Sequence, residues 1–245
     1  MSVLTLQLAG PLQSWGASAR FARRGTENAP TKSGVVGLLA AALGLDRTAD
    51  QQLAELAALR FGVRIDQAGT RIRDFQTAHH LDTDEAMPLS ERFYLADAVF
   101  VAAVEGDGTL IDRIAAALNT PAYLPYLGRR SCPPGRPLTP TVHHGHAHLE
   151  QVLADEPWRA GDWHQKRRSH QQHVDLTVLL EARTADGTEQ MLGDTLRDQP
   201  LSFDPQHRRY ALRTVHIRTV KAANPHARPR QAVPAHDPTG HLEGV

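Results

Sequence analysis

The chain has 245 residues, 41% hydrophobic and 22% charged, enough to bury the core of one large domain or two small ones. Its 27 Lys and Arg balance its 27 Asp and Glu, so no global field draws it to nucleic acid and any such role must rest on local basic patches. A single cysteine, Cys132, excludes an internal disulfide framework and a cysteine zinc cluster.

The opening MSVLTLQLAG lacks a cationic region followed by an apolar signal segment, so a cytoplasmic protein with no membrane role is expected. Leu4, Leu6 and Leu8 alternate, which predicts a strand ended by Gly10 and Pro11. A long connection follows, in which Arg20, Arg23, Arg24 and Lys32 face a single acid, Glu27. It reads either as a solvated loop or as a phosphate-contacting loop, with Trp15 and Phe21 as packing or stacking groups.

Residues 30–44, PTKSGVVGLLAAALG, hold the most apolar helix of the chain. Thr31 or Ser33 can cap it. No charge follows Lys32 until beyond Leu45, so the helix should be buried on nearly every side, yet it is too short to span a bilayer. Gly34 and Gly37 cost about 1 kcal/mol each in a helix, which suits the close approach of another backbone or a ligand. Lys32 stands where the helix start already favours an anion. The run GTENAPTKS is not a phosphate-binding P-loop. Pro30 replaces the second glycine and has no N–H to give a phosphate, so nucleotide hydrolysis is set aside.

A second helix is expected after a capping box at Thr48 and Gln51. Phe61, Val63 and Ile65 alternate with charged residues and predict a strand over 60–66. Residues 71–75 prolong or re-enter the sheet, residues 76–91 form a polar insertion, and residues 93–104 form one long central strand. A helix closes at Asn119 and Pro121, followed by at best a short edge strand over 123–127. This order is that of the ferredoxin-like split βαβ pattern, shared with RNA-recognition domains. It predicts an α+β fold with an antiparallel sheet, helices on one face and the other face free for a partner. The aromatic-rich RNP1 strand is missing, which argues against generic base stacking on that sheet.

Residues 119–149 contain no acid and include Gly128, Arg129 and Arg130, two forked cations beside a permissive backbone. This reads as an ordinary basic loop or as a phosphate-binding one. Cys132 reads as packing. His143, His144, His146 and His148 lack the carboxylate or cysteine spacing of a metal site. Farther on, Trp158, Trp163 and the run Lys166, Arg167 and Arg168 precede a strand over 174–182. Asp186 and Gly187 suggest a hairpin turn, 197–209 a Pro-broken loop and 210–220 a strand. From Ala222 the Pro-rich end is expected to be disordered.

Five of these stretches, LAGPLQSWG, PTKSGVVGLLAAALG, IRDFQTAHH, RFYLADAVF and YLGRRSCPP, stand in order over about residues 3–138. Together they resemble the CasD family, the Cas-five subunits of the type I-E CRISPR Cascade complex in the RAMP superfamily. LRDQPLSFDPQHRRYALRTV also fits the family's late strands. The resemblance implies a ferredoxin-like (RRM-like) palm over 1–138 with a thumb insertion at about 76–91, a smaller β-rich region over 139–221 and a disordered tail over 222–245. It implies a non-catalytic subunit that holds the 5′ handle of the CRISPR RNA and docks on the Cascade backbone subunit and beside the large subunit, in a hetero-oligomeric complex with no cofactor and no metal. The RNA-binding set assigned on this basis is Gln13, Trp15, Arg20, Arg23, Arg24, Thr31, Lys32, Ser33, Arg73, Arg92, Arg129 and Arg130. Residues 10–33 and 128–136 should be neighbours if both flank the palm. The alternative is a metal-independent endoribonuclease that processes precursor RNA, for which His79 and His80 are candidates by type alone.

Overall fold

The computed structural model describes residues 1–16, 23–145, 148–182, 193–204 and 206–228. The first strand, β1 (Ser2–Ala9), turns through the short strands β2 (Leu12–Gln13) and β3 (Arg23–Arg24) into helix α1 (Lys32–Ala42). Then come α2 (Asp50–Ala58), β4 (Arg60–Gln67), β5 (Thr70–Gln76), β6 (Ser90–Ala96), β7 (Val99–Gly106) and α3 (Gly108–Asn119). The rest comprises β8 (Pro140–His143), α4 (Leu149–Asp155), α5 (Asp162–Arg167), β9 (His173–Glu181), β10 (Asp194–Ser202) and β11 (Arg209–Ala223).

Seven strands form one sheet in the order β10-β11-β9-β4-β7-β1-β8, and every neighbouring pair is antiparallel. The late strands β9, β11 and β10 therefore continue the sheet begun by β1, β4 and β7. A second sheet is built on β6, with β5 on one side and β2 and β3 on the other.

Alternation along each strand assigns the two faces. Leu4, Leu6, Leu8, Phe100, Ala102 and Val104 pack with α1, α2 and α3 in the main core. Their neighbours Val3, Val101 and Ala103 point the other way and pack against Leu149, Val152 and Leu153 of α4. The second face is thus not free, contrary to the sequence expectation. Arg64 secures the cover: its guanidinium is fully buried, pairs with Asp66 at 2.8 and 2.9 Å, and donates to the carbonyls of Leu153, Glu156 and Pro157 at 2.7 Å each. A buried charge is tolerable when paired and hydrogen-bonded on all sides.

Local departures from the sequence reading have local causes. The expected strand over 93–104 breaks at Asp97, whose φ of 55° sends β6 and β7 into different sheets. Gln13 holds the break by donating to Leu8 O and Ala98 O. The expected capping box is absent: α2 starts after Ala49 with no side-chain cap. Residues 123–127 are not a strand. Residues 197–202, expected within a Pro-broken loop, belong to β10, which absorbs Pro200 through two register shifts against β11. Strand β11 runs to Ala223, so the first two residues of the expected tail belong to the sheet. Asp186, Gly187 and residues 229–245 lie outside the described residues. No helix among the described residues is long and apolar enough to cross a membrane.

Candidate nucleic-acid interface

The start of α1 is where distant segments meet. Thr31 is its N-cap, and its Oγ1 accepts from Gly34 N at 3.3 Å. Gly34 is required by Trp15: a Cβ there would lie 2.8 Å from Trp15 Cε3. Trp15 is fully buried and donates through Nε1 to Gln13 Oε1, so it packs the helix and offers no face to a base. Gln13 is spent on Trp15 and on the two carbonyls at the strand break, which leaves it unable to read base edges.

Lys32 departs most from expectation. Its side chain is 2% exposed and its ammonium sits 2.8 and 2.9 Å from the two oxygens of Glu181. Its backbone N–H donates to Asp198 Oδ2 at 2.7 Å, and Asp198 is bidentate to Arg213. The anion at the helix start is the protein's own Asp198. Burial lowers the Lys32 pKa, and Glu181 opposes that shift. Lys32 therefore does not grip an external phosphate; it ties α1 to β9 and β10.

The loop after α3 closes over the same helix start. Ser14 N donates to Leu127 O and Gly135 N to Ala9 O, so residues 10–16 and 127–135 are neighbours. Gly128 has φ +86°, and a Cβ there would lie 1.8 Å from Ser14 O, so no other residue fits without moving the loop. Arg129 donates to the carbonyls of Arg24, Gly25 and Phe93, and its guanidinium lies 5.0 Å from the Tyr94 ring centroid. Much of its fork is occupied by the fold. Arg130 and Arg24 are exposed. Cys132 is fully buried, and burial raises its thiol pKa, which suits packing and not nucleophilic chemistry.

These segments border an open groove of about 1300 Å³. It is lined by Ser33, Gly34 and Gly37 of α1, by Tyr123 and Tyr126 from the loop after α3, and by Phe203 and Tyr210 near the β10–β11 turn. Five arginines line it, Arg24, Arg47, Arg129, Arg130 and Arg208, against one acid, Asp46.

Of the sequence-predicted set, the groove gathers Trp15, Arg24, Ser33, Arg129 and Arg130. Arg23 is exposed beside it, 3.7 Å from Glu91 and over Phe93. Arg73 stands on β5, paired with Glu91 and over Phe75. Arg92 on β6 has a buried Nε without a hydrogen-bond partner among the described residues. Arg20 and Phe21 lie outside the described residues. Arg47 and Arg208 were missed, since each stands among mixed polar residues far from the basic loops in sequence. The second arginine-bearing turn, QHRRY, was the available signal. His143, His144 and His148 each face one carboxylate, Glu156 at 3.8 Å, Asp112 at 3.6 Å and Glu105 at 4.0 Å, and His146 lies outside the described residues.

The profile of the family described as CRISPR-associated protein (Cas_Cas5) matches residues 3–216. The chain belongs to this Cas5 family. It is 36% identical to the CRISPR system Cascade subunit CasD of Escherichia coli (strain K12), over an alignment of 156 positions that takes in 56% of this chain and 69% of that protein. Among solved structures it is similar to a chain of a CRISPR RNA-guided surveillance complex, with TM-score 0.69 and 32% identity over 90% of this chain and 91% of the other. It is also similar to a Cas protein crystal structure, with TM-score 0.67 and 34% identity over 92% and 97% of the two chains.

Proposed function

We propose that this Cas5-family chain is a non-catalytic subunit of a CRISPR RNA-guided surveillance complex of the Cascade kind and holds the 5′ handle of the CRISPR RNA in the arginine-lined groove. The observation that carries the reading is the concentration of five arginines against one aspartate in a single groove of a chain whose net charge is zero. Exposed arginines bind phosphate oxygens, and the other groups that line the groove then meet the sugars and base edges. The names of two relatives, a Cascade subunit and a chain of an RNA-guided surveillance complex, support the same assignment. No cofactor or metal enters this role.

The strand order β4-β7-β1-β8, with α1 and α3 as crossovers packed on one face, supports a ferredoxin-like palm. The β5–β6 hairpin stands outside that sheet and exposes Ile72, Phe75, Leu81, Met87 and Leu89. It supports a thumb that docks on the backbone subunit, with the large subunit nearby, in a cytoplasmic hetero-oligomer. The test is co-purification of the tagged chain with the other Cascade subunits, followed by sequencing of the retained RNA. Recovery of CRISPR RNA with its 5′ end protected supports the proposal. A complex that forms equally well without this chain and retains the same RNA ends contradicts it. Incubation of the purified chain with repeat RNA, without metal, separates the endoribonuclease alternative, which requires cleavage at one site.

A further inference from the structure

The groove lies on the α1–α3 side of the main sheet. The opposite side carries α4 and α5, and there a second cationic surface stands apart from it. Residues 163–174, WHQKRRSHQQHV, contain no acid. Trp163 is 56% exposed, whereas Trp15 and Trp158 are 0% and 4% exposed. Its position four residues before Arg167 puts both on one face of α5. Asp162 is engaged by Lys166 at 2.5 Å and by His226 at 2.7 Å. The guanidinium groups of Arg167 and Arg168 have no hydrogen bond or ion pair among the described residues.

This surface is built on a rigid base. Trp158 packs with Val174, Leu176 and Ala222, and its indole donates to Asp66 O. Gln165 is buried and donates to Trp158 O at 2.7 Å. Asn224 donates to the carbonyls of Gln165 and Arg168 at the end of α5, so the backbone under the arginines is fixed from β11. The pKa of His164 is lowered by burial and by the positive field of Arg168 and Arg167.

We propose that this surface is a second nucleic-acid site, which takes a single strand by stacking a base on Trp163 and holding flanking phosphates with Arg167 and Arg168. Cations alone would suit any acidic partner. The half-exposed indole, with the unpaired guanidinium of Arg167 on its helix face and that of Arg168 at the helix end, matches a nucleic acid, because a base offers an apolar face next to its phosphate. An unpaired base is required, since a base inside a duplex has no free face for the ring. The site goes beyond the handle-binding groove and faces the other way.

The test uses the full chain with the groove disabled by Arg24→Ala, Arg130→Ala and Arg208→Ala, titrated with fluorescein-labelled oligouridylate. Anisotropy and tryptophan quenching are read at two salt concentrations. The proposal predicts residual, salt-sensitive binding that quenches tryptophan emission. Adding Trp163→Ala, Arg167→Gln and Arg168→Gln lowers that residual affinity about tenfold or more, while Trp163→Phe alone keeps most of it. The three side chains are exposed or unpaired, so the melting temperature should hold; Arg167→Gln with Arg168→Gln alone still tests the phosphate grip if it does not. No residual binding in the groove variant, or equal binding after the α5 changes, overturns the proposal. Displacement by polyglutamate as effective as displacement by RNA of equal charge also overturns it, in favour of an acidic protein partner.

Discussion

The ammonium of Lys32 shows how one residue's role depends on what the chain brings to it from afar. In the sequence it stands beside a helix start with free N–H groups, a place that favours anions. The anions that arrive are Glu181 and Asp198, each about 150 or more positions away in the chain, and no local pattern announces them. Replacing Lys32 with Ala keeps the backbone N–H bond to Asp198 but leaves the largely buried Glu181 carboxylate without its cation. It should cost about 3–5 kcal/mol, a fall of roughly 6–20 °C in the melting temperature of the RNA-free protein. An unchanged RNA-free melting temperature would restore the phosphate role. Gly128 acts at the same scale. Gly128→Ala must displace Ser14 O or the loop, so it should lower stability by about 1–3 kcal/mol and weaken RNA binding through the shifted Arg129 and Arg130. Cys132 gives a simpler check. Burial holds its thiol pKa above the ordinary value of 9.0, so at pH 8 the native protein should react with iodoacetamide far more slowly than the denatured chain. Equal rates would contradict the packed thiol.

Among the elements, β1, α1, α3 and β4 were legible because each carries its own periodicity and α1 and α3 carry their own caps, Thr31 and Asp107. Strand β10 was not legible. DTLRDQPLS has no apolar alternation and carries a proline near its end, and it becomes a strand only because β11 pairs with it and α1 and α2 pack beside it. The break between β6 and β7 was hidden for a related reason. Residues 93–104 are nearly continuous in apolar character, and the turn depends on Asp97 and on Gln13 from another segment. The groove was half legible: the clusters at 23–24 and 129–130 stand out in sequence, whereas Arg208 reaches the groove only through β10 and β11. The β5–β6 hairpin pairs over Thr70–Gln76 and Ser90–Ala96, leaving residues 77–89 as its tip. Replacing that tip with a short Gly-Ser turn should leave the melting temperature nearly unchanged, because the main core receives none of it. Recovery with the backbone subunit should fall. Full recovery of a complex with protected RNA would contradict a docking role for the tip.

At the scale of the whole molecule, equal numbers of acidic and basic residues hide a strong separation of charge. Glu181, Asp198, Asp66 and Glu156 pair one for one with Lys32, Arg213, Arg64 and Arg159, and the groove lining itself carries a single acid, Asp46. Exposed arginines are left to line the groove, and a neutral chain thereby presents a local positive field without a global one. Such a surface suits a subunit that sits among other proteins and holds one short RNA. The most direct measurement is the salt dependence of handle-RNA binding by the wild-type chain and by the Arg24→Ala, Arg130→Ala, Arg208→Ala variant, with thermal unfolding recorded for both without RNA. The predicted result is an unchanged melting temperature, weaker binding and a slope of log affinity against log salt reduced by about 2, at about 0.7 for each single-strand phosphate that an arginine no longer neutralises. Equal affinity and equal slope in a variant that unfolds at the wild-type temperature would contradict the assignment of the groove to RNA.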